Sequence, residues 1–234
     1  MNKIIVLILT ILIFSCNSDS NDVKEEEDET FYRLTKTIEK DKDGNIEETV
    51  NYEFNKKGQL IKYISIDKGV TYISEITYSD DKPISVSRSH ANTITYTYND
   101  DLIIGMSVIE DNILFTHEYS YNASSELILD KQYNDDVFCC EESYEYINGN
   151  RLKSVSNQGG ISNYEYDNKK NPKTAYIPVQ LIRIDDYPSK NNIININSEK
   201  RFDYEYNNEG FPTKLNGYFN GNVFYTIEYT YEEI

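Results

Sequence analysis

The chain has 234 residues, 40 acidic against 23 basic side chains and a net charge of −17; tyrosine is over-represented at 22 copies beside 9 Phe and no Trp. Such acidity excludes binding to a phosphate backbone, which depends on Lys and Arg neutralising phosphates, and excludes electrostatic docking on an anionic membrane surface. Asn, Ile, Thr, Ser and Tyr dominate while Leu and Ala are scarce, a composition of strands and turns and not of helices.

Met1-Asn2-Lys3 is a short start with one positive charge, and Ile4 to Phe14 is apolar apart from Thr10. Ser15 and Cys16 follow. These are the parts of a secretory signal, and the apolar run is shorter than the ~20 residues a membrane span needs. The Ser15-Cys16 junction resembles the lipobox of bacterial lipoproteins, with Phe14 departing from the small residue usual at that place. The resemblance implies cleavage after residue 15 and a lipid on Cys16, which would hold the protein to the membrane. Loss of Lys3 with the leader takes the net charge to −18. Asn17 to Thr30 is polar and rich in carboxylates. It cannot bury enough surface to offset the entropy of ordering, and it reads as a tether over residues 16–30. Asp19, Asp22 and Glu25 to Glu27 also resemble the surface-export signal of Bacteroidota lipoproteins; a plain solvated linker is the other reading. The expected location is the bacterial outer membrane, lipid-anchored, with the cell surface as one destination.

From residue 31 to 234 the chain repeats a short pattern. Tyr52-Glu53-Phe54, Tyr144-Glu145-Tyr146, Tyr164-Glu165-Tyr166 and Tyr204-Glu205-Tyr206 are strong copies, and Ile76-Thr77-Tyr78, Tyr96-Thr97-Tyr98, Tyr119-Ser120-Tyr121 and Tyr229-Thr230-Tyr231 weaker ones. Their first residues lie 20 to 25 positions apart, except for one gap of 40 between Tyr164 and Tyr204. That gap reads as two periods with a degenerate middle copy. A period in this range marks a repeat architecture. Aromatic–polar–aromatic spacing puts both rings on one face of a strand. The Asn, Asp or Gly that follows suits a tight hairpin turn, and an aliphatic residue such as Leu60, Leu127 or Leu152 resumes the next strand. The fold class is therefore all-β: about fourteen strands in a long antiparallel meander, a twisted sheet curled or partly closed into a barrel. No helix is expected after Phe14.

The Y-x-Y-N/D-x-x-G-x-L pattern resembles the YD repeats of Rhs-type surface and toxin-shell proteins. It resembles more closely a group of Bacteroidota lipoproteins with YD-like repeats and no assigned activity, especially in Asn171-Pro172, Ser189 to Asn192 and Tyr204 to Lys214. The resemblance spans roughly residues 30–234 and bears on architecture alone. The chain is too short to form an Rhs shell, so encapsulation does not carry over.

Chemistry-bearing residues are few. Cys139 and Cys140 are neighbours, with Cα atoms ~3.8 Å apart, closer than the usual span of a disulfide. A strained vicinal disulfide, an intermolecular bridge, and one inward with one outward thiol are the alternatives. His90 and His117 have no partner at zinc-ligand spacing. Asp80-Asp81, Asp100-Asp101, Asp135-Asp136 and Asp185-Asp186 are adjacent carboxylates that read as solvated turns and not as the separated pair of a glycosidase. Asp41-Lys42-Asp43-Gly44-Asn45 echoes the start of a calcium loop but lacks its later ligands, so it reads as a hairpin. No catalytic set, cofactor loop or metal motif is present. The tyrosines read as sheet packing or, more sharply, as an aromatic platform for a ligand. Taken together the sequence points to an envelope binding module for a glycan or protein, with a structural component acting through a partner as the alternative and an enzyme such as a glycosidase behind both.

Overall fold

The computed structural model describes residues 32–184 and 189–234; the leader, Cys16, the tether and Asp185-Asp186 lie outside them. Seventeen strands are present: β1 Tyr32–Asp41, β2 Ile46–Phe54, β3 Leu60–Asp67, β4 Val70–Ser79, β5 Lys82–Arg88, β6 Ala91–Asn99, β7 Leu102–Glu110, β8 Ile113–Tyr121, β9 Leu127–Asn134, β10 Val137–Ile147, β11 Asn150–Ser156, β12 Ile161–Lys170, β13 Asn191–Ile196, β14 Glu199–Lys200, β15 Phe202–Tyr206, β16 Pro212–Phe219 and β17 Asn222–Glu233. Apart from β14 and β15, each pairs antiparallel with its sequence neighbour, and β1 pairs with both β2 and β17. The meander so returns on itself as a nearly closed barrel. β14 and β15 run as one strand interrupted at Arg201, whose backbone N–H donates to the Ile194 carbonyl at 2.9 Å. The wall thus has sixteen strand positions, two more strands than expected, arranged as eight hairpins.

The pairs from Tyr52 to Tyr206 fall on the first strand of a hairpin near one end of the barrel, and Tyr229 and Tyr231 lie on β17, which meets β1 at the closure. The register slips just before the second aromatic: Thr77 faces Ser85 but Tyr78 faces Pro83, and Thr97 faces Gly105 but Tyr98 faces Ile103. The same slip occurs at Phe54, Tyr121, Tyr146 and Tyr206. Each is a β-bulge, with two residues on the return strand opposing one. The first bulged residue points inward and is buried, as at Leu60, Pro83, Ile103, Leu127 and Pro212. The second points outward, which accounts for the exposure of Ile84, Ile104, Ile128 and Leu152.

The second tyrosines tie neighbouring hairpins together. Tyr78 donates its hydroxyl hydrogen to the Leu60 carbonyl at 2.7 Å, Tyr98 to Pro83 at 2.6 Å, Tyr121 to Ile103 at 2.6 Å and Tyr231 to Pro212 at 2.9 Å. A bulge leaves the ladder locally unpaired, so each hydroxyl satisfies a carbonyl that the sheet cannot. Burial raises the hydroxyls of Tyr78 and Tyr98 to about 12, so both stay protonated donors at any physiological pH.

At the opposite end the turns are short. Lys68-Gly69, Asp111-Asn112, Asp135-Asp136 and Asn220-Gly221 all hold positive φ at both positions, the geometry of a two-residue hairpin that matches strand twist.

Two expectations are corrected. The gap of 40 is a single hairpin, β12–β13, whose turn is expanded, and not two periods. The insertion contains a 3-10 turn at Pro172–Ala175 and a five-residue helix, α1, at Val179–Arg183, where no helix was expected. Asn171 caps the 3-10 turn by accepting the Lys173 N–H, and Pro172 suits its first position because the missing N–H has no partner there anyway. The insertion folds into the barrel end and plugs it. Tyr176 packs on Tyr52 with ring centroids 4.5 Å apart, and Leu181 joins both buried clusters of the wall.

Candidate functional site

The inner and outer faces of the wall differ sharply in chemistry. The residue between the two aromatics of each repeat must point outward. At the eight copies it is Glu53, Thr77, Thr97, Ser120, Glu145, Glu165, Glu205 and Thr230. Opposite charges pair across strands on that face: Lys62 with Glu75 at 3.6 Å, Lys153 with Glu145 at 3.1 Å, Lys214 with Glu205 at 3.3 Å and Lys40 with Glu228 at 2.6 Å. Such exposed pairs contribute little stability, but they identify the medium. A membrane-spanning barrel shows lipid an apolar band ~25 Å tall and turns its polar side chains inward. Here the outer face carries ion pairs among scattered apolar side chains such as Ile84, Ile104 and Ile128, and the tyrosines face inward.

Inside the barrel lies a cavity of about 700 Å3. Seven tyrosines line it: Tyr52, Tyr63, Tyr96, Tyr119, Tyr144, Tyr164 and Tyr176. Leu60, Ile76, Val86, Ile94, Met106 and Leu127 supply aliphatic wall, and the plug contributes Lys173, Ile177, Leu181 and Ile184. This is within the size range of small-molecule sites, which are mostly apolar with a few placed polar groups.

The first aromatics Tyr52, Tyr96, Tyr119, Tyr144 and Tyr164 turn toward this space, whereas Tyr204 donates to the Ile193 carbonyl. The hydroxyls of Tyr63 and Tyr96 make no hydrogen bond among the described residues, and Tyr119 reaches only the Met106 sulfur at 3.9 Å. Burial raises the Tyr96 and Tyr119 hydroxyls far above the ordinary phenol range, so they face the cavity neutral.

Set into this wall is a group of polar side chains. His117 on β8 holds Asp130 on β9 through Nδ1, at 2.9 and 3.1 Å from the two carboxylate oxygens. Gln132 donates to the same carboxylate at 3.2 Å, and Asp130 is only 7% exposed. Cys140 on β10 donates to the Gln132 carbonyl oxygen at 3.3 Å. Glu142 accepts from the Tyr144 hydroxyl at 3.2 Å. Across the cavity Glu48 accepts a short hydrogen bond from Ser65. The basic groups at the lining, Arg151 and Lys173, belong to the plug end, and both are already engaged. Arg151 has its guanidinium 3.9 Å from the Tyr144 ring centroid.

The chemistry-bearing residues of the sequence are placed as follows. His117 enters the cavity wall, whereas His90 sits in the β5–β6 turn and contacts the Thr71 carbonyl. Cys139 is an exposed free thiol and Cys140 a half-buried one. A bulge between Phe138 and Cys140 separates them. Burial first, then the adjoining Cys139, pushes the Cys140 thiol up to about 11. Asp80, Asp81, Asp100, Asp135 and Asp136 occupy turns at positive φ. Asp41 accepts from the Asn45 side-chain amide and from the backbone N–H groups of Asn45 and Asp43, which closes the expected hairpin and holds its carboxyl below the usual range. No group of three metal-ligating side chains occurs among the described residues.

Sequence reasoning overlooked Glu48 and Glu142, although a signal was present. Each stands a whole number of period-two steps before its aromatic pair, at Glu48-x-Val50-x-Tyr52 and Glu142-x-Tyr144. Asp130 carries no such signal, because the Leu127–Ile128 bulge shifts the parity of β9.

No family model matches the chain, and no curated protein matches it. Among solved structures it is similar to a porin-like protein from Bacteroides uniformis, with a TM-score of 0.59 at 18% identity over 85% of this chain and 96% of that one. That likeness is one of fold.

Proposed function

We propose that this protein is an envelope binding module, anchored by lipid on Cys16 at the outer membrane, that holds a small ligand inside its barrel. The observation that carries the reading is the polarity of the wall: ion-paired outside, tyrosine-lined inside. A pore needs a continuous lumen, and here the β12–β13 insertion stops one end. The reading is one of binding and not of catalysis. Against the sequence reading of a glycan or protein ligand, a cavity of about 700 Å3 walled by tyrosines and aliphatic side chains with a few polar groups favours a small guest.

The test is titration of residues 17–234, which contain every described strand, with the apolar fluorophore N-phenyl-1-naphthylamine, beside an Ile94→Trp variant. Ile94 lines the cavity, and indole there occupies the guest's space. Saturable binding that the variant loses while staying folded supports the reading. Absence of binding, or equal binding by the variant, refutes it.

A second reading, a structural component acting through a protein partner, is favoured by one feature. Val137, Phe138, Phe219 and Phe224 are 48–68% exposed at hairpin ends away from the plug. Exposed apolar patches commonly mark interaction sites. Cross-linking in intact cells that captures one partner, and loses it in a Phe138→Ser/Phe224→Ser variant, would favour that reading.

A further inference from the structure

The inside of the barrel carries a charge imbalance that the wall does not resolve. Three carboxylates line the cavity: Glu48, Asp130 and Glu142. None has a Lys or Arg partner among the described residues. Glu48 is met by the Ser65 hydroxyl, Glu142 by the Tyr144 hydroxyl, and Asp130 by His117 and a glutamine amide. Elsewhere the fold does pair its carboxylates, as at Lys40–Glu228 on the outer face and at Arg88–Glu110, where Arg88 shares the inward face of Val86 beyond the cavity lining. A carboxylate without a cation in a partly desolvated site is costly, and the cavity's two basic side chains are committed elsewhere. The tyrosine rings add a second attraction of the same sign, since an aromatic face is electronegative and binds cations. The hydroxyls of Tyr63 and Tyr96, which make no hydrogen bond among the described residues, can each accept from an ammonium N–H.

From this we infer that the ligand of the cavity is a cationic amphiphile, with an ammonium group set among Glu48, Asp130 and Glu142 and an apolar body against the tyrosines and aliphatic wall. The inference rests on the reading of the barrel as a small-ligand binder. It disfavours fatty acids, whose carboxylate would meet three like charges. The mouth agrees with this polarity: burial, and then the charges of Glu48, Glu47 and Asp67, raise the Glu39 carboxyl at the end away from the plug. The net charge of −17 draws cations toward the molecule as a whole.

The experiment compares three probes of one chain length, dodecylammonium, dodecanol and dodecanoate, by calorimetric titration of residues 17–234 below the micellar concentration. The expected result is dodecylammonium binding at one site at least tenfold tighter than dodecanoate, with the preference cut about tenfold in Glu142→Gln. Glu48→Gln is the second variant, because it stands on another strand and leaves the His117–Asp130 pair intact. Equal binding of all three probes, or tighter dodecanoate, overturns the ammonium inference and leaves the binding reading standing. Failure of every probe overturns the binding reading itself. A preference unchanged in both variants and abolished by 0.5 M salt means adsorption to the acidic surface and also overturns the inference.

Discussion

The two tyrosines of a repeat look alike in sequence but do different work, and removing a single oxygen atom from each separates them. Tyr98 donates to the Pro83 carbonyl at 2.6 Å, beside a proline side chain that is fully buried. Tyr98→Phe keeps the ring and leaves that carbonyl without a partner. A lost hydrogen bond of this kind costs about 1–2 kcal/mol, more when the abandoned group is buried. For a domain of this size each kcal/mol lowers the melting temperature by about 2–4 °C, so a fall of roughly 2–8 °C is expected. Tyr96, two residues earlier on the same strand, has no hydrogen bond among the described residues to lose. Tyr96→Phe removes a desolvated hydroxyl, so its stability should equal that of the wild type or slightly exceed it. Urea denaturation of both variants, read by circular dichroism with m-values compared, provides the measurement. Equal destabilisation of the two, or a stable Tyr98→Phe, would refute the division of tyrosines into wall ties and cavity lining.

Gly217 should not tolerate a side chain: a Cβ there would lie 2.3 Å from the Tyr225 ring, so Gly217→Ala is expected to cost about 1–3 kcal/mol by overpacking, measured by the same denaturation. Cys139 should react with a thiol reagent well before Cys140, since it is exposed and Cys140 is half-buried with its thiol raised to about 11; the slow phase should quicken with rising pH up to that value, and two equal rates at pH 8 would contradict this. Glu39→Gln tests the acidic mouth. The folded carboxyl lies above its unfolded value because of burial and the neighbouring Glu48, Glu47 and Asp67 charges. Its ionisation therefore costs stability as pH rises through that folded value. The substitution should raise the urea midpoint at pH 7 and change it little near pH 3, where both forms are neutral; a gain of the same size at both pH values would contradict the assignment.

The repeat reported its own fold well. Alternation across Tyr144-Glu145-Tyr146 and its relatives dictates one apolar and one polar face, and the Asn, Asp and Gly that follow dictate hairpins; together they specify an antiparallel meander with every first strand alike. Closure was less legible. It depends on β1 meeting β17 across almost the whole chain, from Leu34 to Tyr231, and local pattern carries no information about that pairing. The bulges were hidden for a related reason. Leu60-Ile61 and Ile103-Ile104 read as ordinary apolar steps, and only the register shows one residue turned in and the next turned out. The plug was missed because Val179–Arg183 is too short to show a helical period, and its helix is held by packing of Leu181 against the wall and not by propensity. The site was half legible: His117, Glu48 and Glu142 share parity with the tyrosines, while Asp130 and the plug residues required the fold.

The account's central claim is that the apolar face of this barrel points inward. The most direct test is size-exclusion chromatography of residues 17–234 in buffer without detergent, with the β-sheet content of the eluted peak read by circular dichroism. The account predicts a folded, monodisperse species. Aggregation in buffer, with a monodisperse folded form appearing only in detergent micelles, would mean that the outer wall seeks lipid and would contradict it.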